Sequence, residues 1–389
     1  MKKNNSAFVR FRENLELLHV SKPSETPAER VKSVDALRGF DMFWIMGGDA
    51  MFSGLDYIFN NRISAFLRTQ MDHVEWTGFH FYDIIMPLFL FLVGVSLVYS
   101  FRKRLGSGAG HGSIWKHTIK RVLILWILGM AVQGNLFTYD IEQFQLYSNT
   151  LQAIASGYLI ATILVLYLPV FYQIVATAGL MLAYWAIAAL IPVNGSTAGA
   201  WEMSTNVPLL FDHMILGRFD DGLQYSWIIS SLNFGATTML GVFCGYLLQS
   251  KNSRLKKLRS LLILGAALIA VSLVWDLWQP IIKKIWTSSF VLFSGGICIL
   301  MLALFYYVID ILEVRRGTRW LIVLGSNAIF GYVAWHLFSW SFIGVARVFW
   351  AGFISYIPQW EASLSFLGGF LVIYLLMSYM YRNKTFIKI

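Results

Sequence analysis

Apolar residues in this chain come in long unbroken runs, separated by short charged stretches. A membrane-spanning helix needs about 20 mostly apolar residues. Residues 84–101, 122–139, 222–250, 285–309, 320–346 and 362–381 each lack Lys, Arg, Asp and Glu. So does 143–201, which is long enough for two spans and carries Pro169 near its middle as a natural break. The stretch 260–275 is another span, continuing to Trp278, and 40–55 is a weaker one interrupted by Asp41 and Asp49. The pattern predicts an all-α polytopic membrane bundle of about ten transmembrane helices. Segment 342–357 is left open as a short extra or re-entrant piece. Residues 1–33 and 383–389 are read as tails, and 34–382 as one membrane domain without internal repeats.

Composition supports this reading. Of the 389 residues, 57% are hydrophobic and only 13% charged, about half the charged share of a soluble domain, so charge cannot cover a soluble surface of this size. Disorder, collagen and coiled coil are excluded by the same figures. Cys244 and Cys298 both lie in apolar runs and are expected as buried thiols, not as a disulfide or a metal site.

The net charge of +10 would suggest nucleic acid in a soluble protein, but here it sorts by loop. Segments 1–32, 102–121, 250–259, 313–319 and 382–389 together carry 24 of the 31 Lys and Arg residues, and ten spans place them all on one side. The other side keeps Arg62, Arg68, Arg218, Lys283, Lys284 and Arg347. By the positive-inside rule both termini are cytoplasmic. The leading tail has no apolar core of a secretory signal, so the first span is expected to enter the membrane itself. A nucleic-acid partner is not expected.

Polar residues in or beside spans are costly there and mark cavities or partners. Asp35, Arg38 and Asp41 share one helix face and read either as an ion or anion site at the inner mouth or as an interfacial salt bridge. Asp49 follows with no local partner. The outer segment Asp72–Asp83 gathers His73, Glu75, Trp76, His80 and Asp83; an imidazole beside carboxylates suits general base work, and a polar loop is the plain alternative. Its spacing does not suit zinc. Lys283, Lys284, Thr287, Ser288 and Ser289 stand at a span entrance, either as a polar-ligand site or as anchoring and capping. Gly217–Gly222 reads as a loop salt bridge or a ligand-facing turn. Asn327 and His336 line a cavity or serve structure. No phosphate loop, nucleophile elbow or CxxC occurs.

In order along the chain, these islands resemble a known family. The stretches are Ser33-Val34-Asp35-Ala36-Leu37-Arg38-Gly39, His73-Val74-Glu75-Trp76-Thr77-Gly78 with Asp83 and Pro87, Lys120-Arg121, Leu151-Gln152-Ala153-Ile154-Ala155, Lys284 to Ser289, and Gly325-Ser326-Asn327-Ala328-Ile329. Over about 300 residues they resemble the transmembrane acyltransferases related to heparan-α-glucosaminide N-acetyltransferase and their bacterial relatives. The Asp-Pro-Glu-Gly turn of some relatives is absent at Gln224-Tyr225-Ser226-Trp227, and the family's late histidine falls one residue from His336.

The resemblance implies an enzyme that takes acetyl-CoA from the cytosol and acetylates a glucosamine amine on the far side. His73 matches the family's essential histidine, and Asp49 a polar position the family implicates. His73 is then expected as base, with Glu75 or Asp49 orienting it, or as a carrier of the acetyl group itself. Arg38, Lys120 and Arg121 are expected to hold CoA phosphates, and Lys284, Thr287 and Ser288 its pantetheine arm. Trp76, Asp83, Asn327 and His336 are expected on the sugar side, with no metal. The implied setting is a bacterial inner membrane with the site facing the periplasm; a homodimer is left open. The rival expectation is an N-acetylglucosamine transporter.

Overall fold

A computed structural model describes residues 31–106, 108, 110–192, 198–222 and 224–387. Among these every regular element is helical. Among the described residues eight helices are long and apolar enough to cross a membrane: Phe81–Arg104, Thr150–Tyr167, Val170–Leu190, Ser230–Gln249, Arg254–Trp275, Ser288–Ile311, Ala328–Ile354 and Pro358–Arg382. The chain is a helical protein of multi-pass membrane type. It divides into two compact units. One is Met86–Ala303, and the other is Val31–Ile85 with the chain from Leu304 onward.

The second unit opens with α1 (Lys32–Phe43), a wide-turn segment Trp44–Gly48, and α2 (Asp49–Ser53). The stretch predicted as a weak first span is thus a broken helix. Met46 and Gly47 leave helical geometry, and Gly47 takes φ +93°, which glycine adopts without strain. Its missing side chain also makes room for the Trp335 ring. Short helices α3 (Leu55–Phe59) and α4 (Arg62–Met71) follow. Asn61 caps α4 through Ile63 and Ser64 backbone N–H groups, and Ser64 Oγ donates to Asp56 at 2.8 Å. A 3₁₀ turn, Phe81–Ile84, leads into α5 (Ile85–Gly106).

The Met86–Ala303 unit continues with α6 (His111–Val132), α7 (Thr150–Tyr167), α8 (Val170–Leu190), α9 (Val207–Leu216), α10 (Ser230–Gln249), α11 (Arg254–Trp275) and most of α12 (Ser288–Phe305). Pro169 stands between α7 and α8, where the sequence places the break. Helices α5 and α10 cross with backbones nearly touching: a Cβ at Gly94 would overlap the Thr238 carbonyl, and one at Gly241 the Phe91 carbonyl. Small residues give this close approach in membrane bundles. Cys244 and Cys298 are buried, and neither is in a disulfide. Helix α6 occupies only part of the span predicted at 122–139; it ends at Val132, and its first half carries Lys116, Lys120 and Arg121.

The remaining elements, α13 (Arg319–Ser326), α14 (Ala328–Ile354) and α15 (Glu361–Arg382), belong to the unit that begins at Val31. The span predicted at 320–346 is two helices divided at Asn327, and 342–354 continues α14 instead of forming a separate segment. Asn327 breaks the run because its side chain is engaged elsewhere. Its amide donates to Thr385 O at 3.0 Å, and its oxygen accepts from Ile387 N at 2.9 Å. Helix α13 lies against α1, with Gly39 beneath the Leu321 carbonyl and Gly325 beneath that of Asp35.

Candidate functional site

The segment between α4 and α5 is fixed by one carboxylate. Asp83 is fully buried, and its Oδ2 accepts from His80 N at 2.9 Å and Val74 N at 3.3 Å. Its other oxygen, Oδ1, accepts from His73 Nδ1 at 2.8 Å. The His73 side chain is 39% exposed and that of Asp83 0%. A carboxylate accepting at Nδ1 places the ring proton there, so that Nε2 carries the ring's lone pair. The second histidine is structural: His80 Nδ1 donates to the Asp72 carbonyl at 3.0 Å.

Tyr82 packs its ring against His73, with centroids 5.0 Å apart. Its hydroxyl pairs with the Asp49 carboxylate, at the start of α2. His73, Asp83, Tyr82 and Asp49 therefore form one cluster within a single unit. Sequence reasoning singled out His73 and Asp49, placed Asp83 on the sugar side, and did not assign Tyr82. The orienting partner of His73 is Asp83. Glu75, expected in that role, is exposed, and Trp76 is half-buried. A readable signal existed: His80 and Asp83 have the i, i+3 spacing in which a carboxylate turns back to a helix-entry N–H.

The other expected residues divide. Arg38 pairs with Asp35 at 3.5 Å in the same unit. Asn327 is 1% exposed and holds the chain near Thr385, which gives it a structural task. His336 donates to the Tyr332 carbonyl at 2.9 Å and stacks on that ring at 4.1 Å, also a local arrangement.

In the Met86–Ala303 unit, Lys120 is exposed on α6, and the Arg121 guanidinium lies 4.5 Å over the Tyr158 ring. Arg104, Lys120 and Arg121 all lie within electrostatic reach of His117, which makes this a basic cluster. Lys284 Nζ donates to Gln224 Oε1 at 2.7 Å. Thr287 and Ser288 are fully buried and donate to Pro280 O at 2.9 Å and Met181 O at 2.8 Å. Thr287 thus fastens the loop before α12, and Ser288 ties the start of α12 to α8.

The Gly217–Gly222 turn is likewise tied down. Asp220 pairs with His213, Asp221 Oδ2 accepts from Trp227 Nε1 at 2.8 Å, and the Arg218 guanidinium lies 4.7 Å over Phe219. Nearby in α9, buried Asp212 accepts from the backbone N–H of Trp227 and of Ile228. Loss of hydration pushes its carboxyl up to about 7; those two N–H groups oppose the shift, and Asp220 and Asp221 add to it.

Compared with known proteins, the chain matches no family model and no curated protein. The family resemblance therefore rests on the stretches quoted above.

Proposed function

We propose that the protein is a membrane-embedded N-acetyltransferase that moves the acetyl group of cytosolic acetyl-CoA onto the amine of glucosamine or a terminal glucosaminide. The observation that carries this reading is the His73–Asp83 pair, in which a buried, backbone-anchored carboxylate holds a half-exposed imidazole through Nδ1. His73 Nε2 takes a proton from the acceptor's ammonium. The neutral amine attacks the thioester carbonyl carbon, the C–S bond breaks, the imidazolium returns its proton to the departing thiolate, and the second nitrogen proton is released to water as the amide forms. Asp83 is a positioning residue that fixes the tautomer and stabilises the imidazolium, as a carboxylate does for any histidine base. Trp76, three residues along from His73, and Asp49, bonded to the Tyr82 that packs on His73, are the candidates to receive the sugar and its charge.

The basic cluster of Lys120 and Arg121 suits the phosphates of CoA, and Lys284 remains a candidate for its arm. Arg121, stacked on Tyr158, is a preorganised anion partner. In this reading the 102–121 loop faces the cytoplasm of a bacterial inner membrane, both termini lie there, the spans number ten, and His73 faces the periplasm. The asymmetry of Lys and Arg supports that orientation.

One observation favours a second reading. A span broken at Met46–Gly47 beside a carboxylate is a frequent device of transporters. Purified protein given glucosamine and labelled acetyl-CoA separates the two. Labelled N-acetylglucosamine supports the transferase. Sugar uptake into vesicles without acetyl-CoA, with no acetylated product, supports the transporter and overturns the transferase.

A further inference from the structure

The reaction as written makes no use of α3 and α4, the short helices that lead from α2 to the His73 segment. Their apolar side chains are turned away from the protein. Tyr57 is 74% and Phe59 54% exposed on α3, and Ile63 is 73% and Phe66 62% exposed on α4. With about 3.6 residues per turn, Ser64, Leu67 and Met71 share the face of α4 that the protein covers or half covers. Ile63 and Phe66 stand beside that face and widen it beyond the covered part. Arg62, Arg68 and Thr69 lie on the opposite, exposed side. A helix with an uncovered apolar arc and cations across from it suits a membrane surface, where the arc reaches the acyl boundary and the cations the headgroups.

The neighbouring elements fix what lies against this arc. Helix α3 packs on the turn Pro358–Trp360, and the Phe59 and Trp360 rings meet edge to face at 6.1 Å. That turn stands between two of the helices long and apolar enough to cross a membrane, Ala328–Ile354 before it and Pro358–Arg382, which begins with it. Charge appears at the same end of these helices. Arg347, two turns from the end of α14, pairs with Glu361, the first residue of α15, at 3.4 Å. Tryptophan, tyrosine and snorkelling arginine are the usual residues of a bilayer boundary. The exposed arc of α3 and α4 is therefore continuous with the rim of the spans.

The two helices are also tied to the site by hydrogen bonds. Asp56 of α3 accepts from Ser64 Oγ at 2.8 Å and pairs with Arg68 at 3.3 Å, which makes α3 and α4 one piece. Gln70 Oε1 then accepts from Phe81 N at 3.0 Å, and the Asp72 carbonyl accepts from His80 Nδ1 at 3.0 Å. His80 and Phe81 directly precede Tyr82 and Asp83, which hold His73.

We propose that α3 and α4 form an interfacial foot whose partner is the surrounding lipid leaflet. Tyr57, Phe59, Ile63 and Phe66 enter the acyl boundary, Arg62 and Arg68 stay at the phosphates, and this contact holds the His73 segment at headgroup level. The proposal goes beyond the transferase reading and does not depend on it.

Spin-label collision measurements on the full chain test it, in nanodiscs of phosphatidylcholine and phosphatidylglycerol. Cys244 and Cys298 are buried, so the unsubstituted chain is the blank. Labels are placed at Ile63→Cys and Phe66→Cys, at Thr69→Cys on the exposed polar side, and at Trp340→Cys, an exposed position midway along α14. Oxygen concentrates among acyl chains, whereas a nickel chelate stays in water. The expected oxygen-to-nickel collision ratio at 63 and 66 is severalfold above that at 69 and below that at 340. A ratio equal to that at 69 puts the arc in water and overturns the proposal. Few collisions with either reagent, with the labels broadening one another, put a second copy on the arc and overturn it as well.

The link to His73 has its own readout. Ile63→Glu with Phe66→Glu takes away the lipid contact and leaves Gln70 and Asp72 in place. Amide hydrogen exchange in the peptide that carries Phe81 is expected to quicken severalfold in nanodiscs. Exchange as slow as in the wild type overturns that link. If the double variant does not fold, the single exposed cysteine replacements still decide where the foot lies. Neither readout uses acetyl transfer, so an inactive protein with the expected collision ratios keeps the foot and sinks only the transferase.

Discussion

The Nδ1 of His73 donates to Asp83 Oδ1 across 2.8 Å, ten residues on along the chain. The half-exposed imidazole is held by a carboxylate with no exposure of its own, which two backbone N–H groups also fix. Asp83→Asn is therefore expected to lower kcat by about 10²–10⁴-fold with little change in KM, because it disturbs the tautomer and not the substrate contacts. Glu75→Gln, at an exposed position, is expected to change kcat less than threefold on the order of ordinary surface substitutions. Steady-state rates for both variants check this, and a Glu75→Gln loss equal to that of Asp83→Asn would contradict it.

Asp212 makes stability depend on pH. The native carboxyl holds its proton up to about 7, whereas its ordinary value is 3.8. Between these values the unfolded chain binds fewer protons than the native one, so stability falls as pH rises through the window and levels off above it. The full effect is of order 4 kcal/mol. Asp212→Asn removes it. Unfolding midpoints measured from about pH 4 to pH 8 should slope downward more steeply in the wild type than in the variant; equal slopes would contradict the assignment.

Helices α1 and α13 meet where Gly39 and Gly325 pass beneath carbonyl oxygens. A Cβ at either overlaps backbone, which cannot move as a side-chain end can. Gly325→Val is expected to destabilise by roughly 3 kcal/mol, the upper end for overpacking. Gly344→Val, where the added atom meets open space, serves as the control. Thermal unfolding in detergent compares them.

Asn327→Ala removes both bonds that hold the segment around Thr385 and Ile387. The expected cost is about 1–3 kcal/mol. The Ile387 amide should then exchange its hydrogen faster, while His73-dependent activity is retained. Loss of activity with unchanged exchange would return Asn327 to the substrate side.

The sequence reveals what depends on run length and local stiffness. Apolar runs mark the long helices, and Pro169 marks the boundary between α7 and α8, because hydropathy and a missing N–H act locally. Breaks that depend on distant partners are not legible in this way. Asn327 interrupts an apolar run because its amide is bonded to a segment nearly sixty residues away. The break at Gly47 has a local sign in Gly47-Gly48, yet the room it makes is filled by Trp335. The same holds in the site. His73 stands out by residue type, whereas its pairing with Asp83 depends on a loop folding back. Thr287 and Ser288 read in the sequence as ligand groups or as anchors, because hydroxyls at a span entrance can serve either purpose, and the carbonyls they bond, of Pro280 and Met181, are not legible from that pattern.

The central claim is that His73 is the base of an acetyl transfer. Its most direct test is the initial rate of labelled acetyl transfer from acetyl-CoA to glucosamine by purified wild-type protein and by His73→Ala, with folding checked by unfolding midpoint. The account predicts acetylated product with the wild type and a loss of about 10²-fold or more in the variant, with the midpoint retained. Equal rates in the two proteins, or no transfer by the folded wild type, would contradict it.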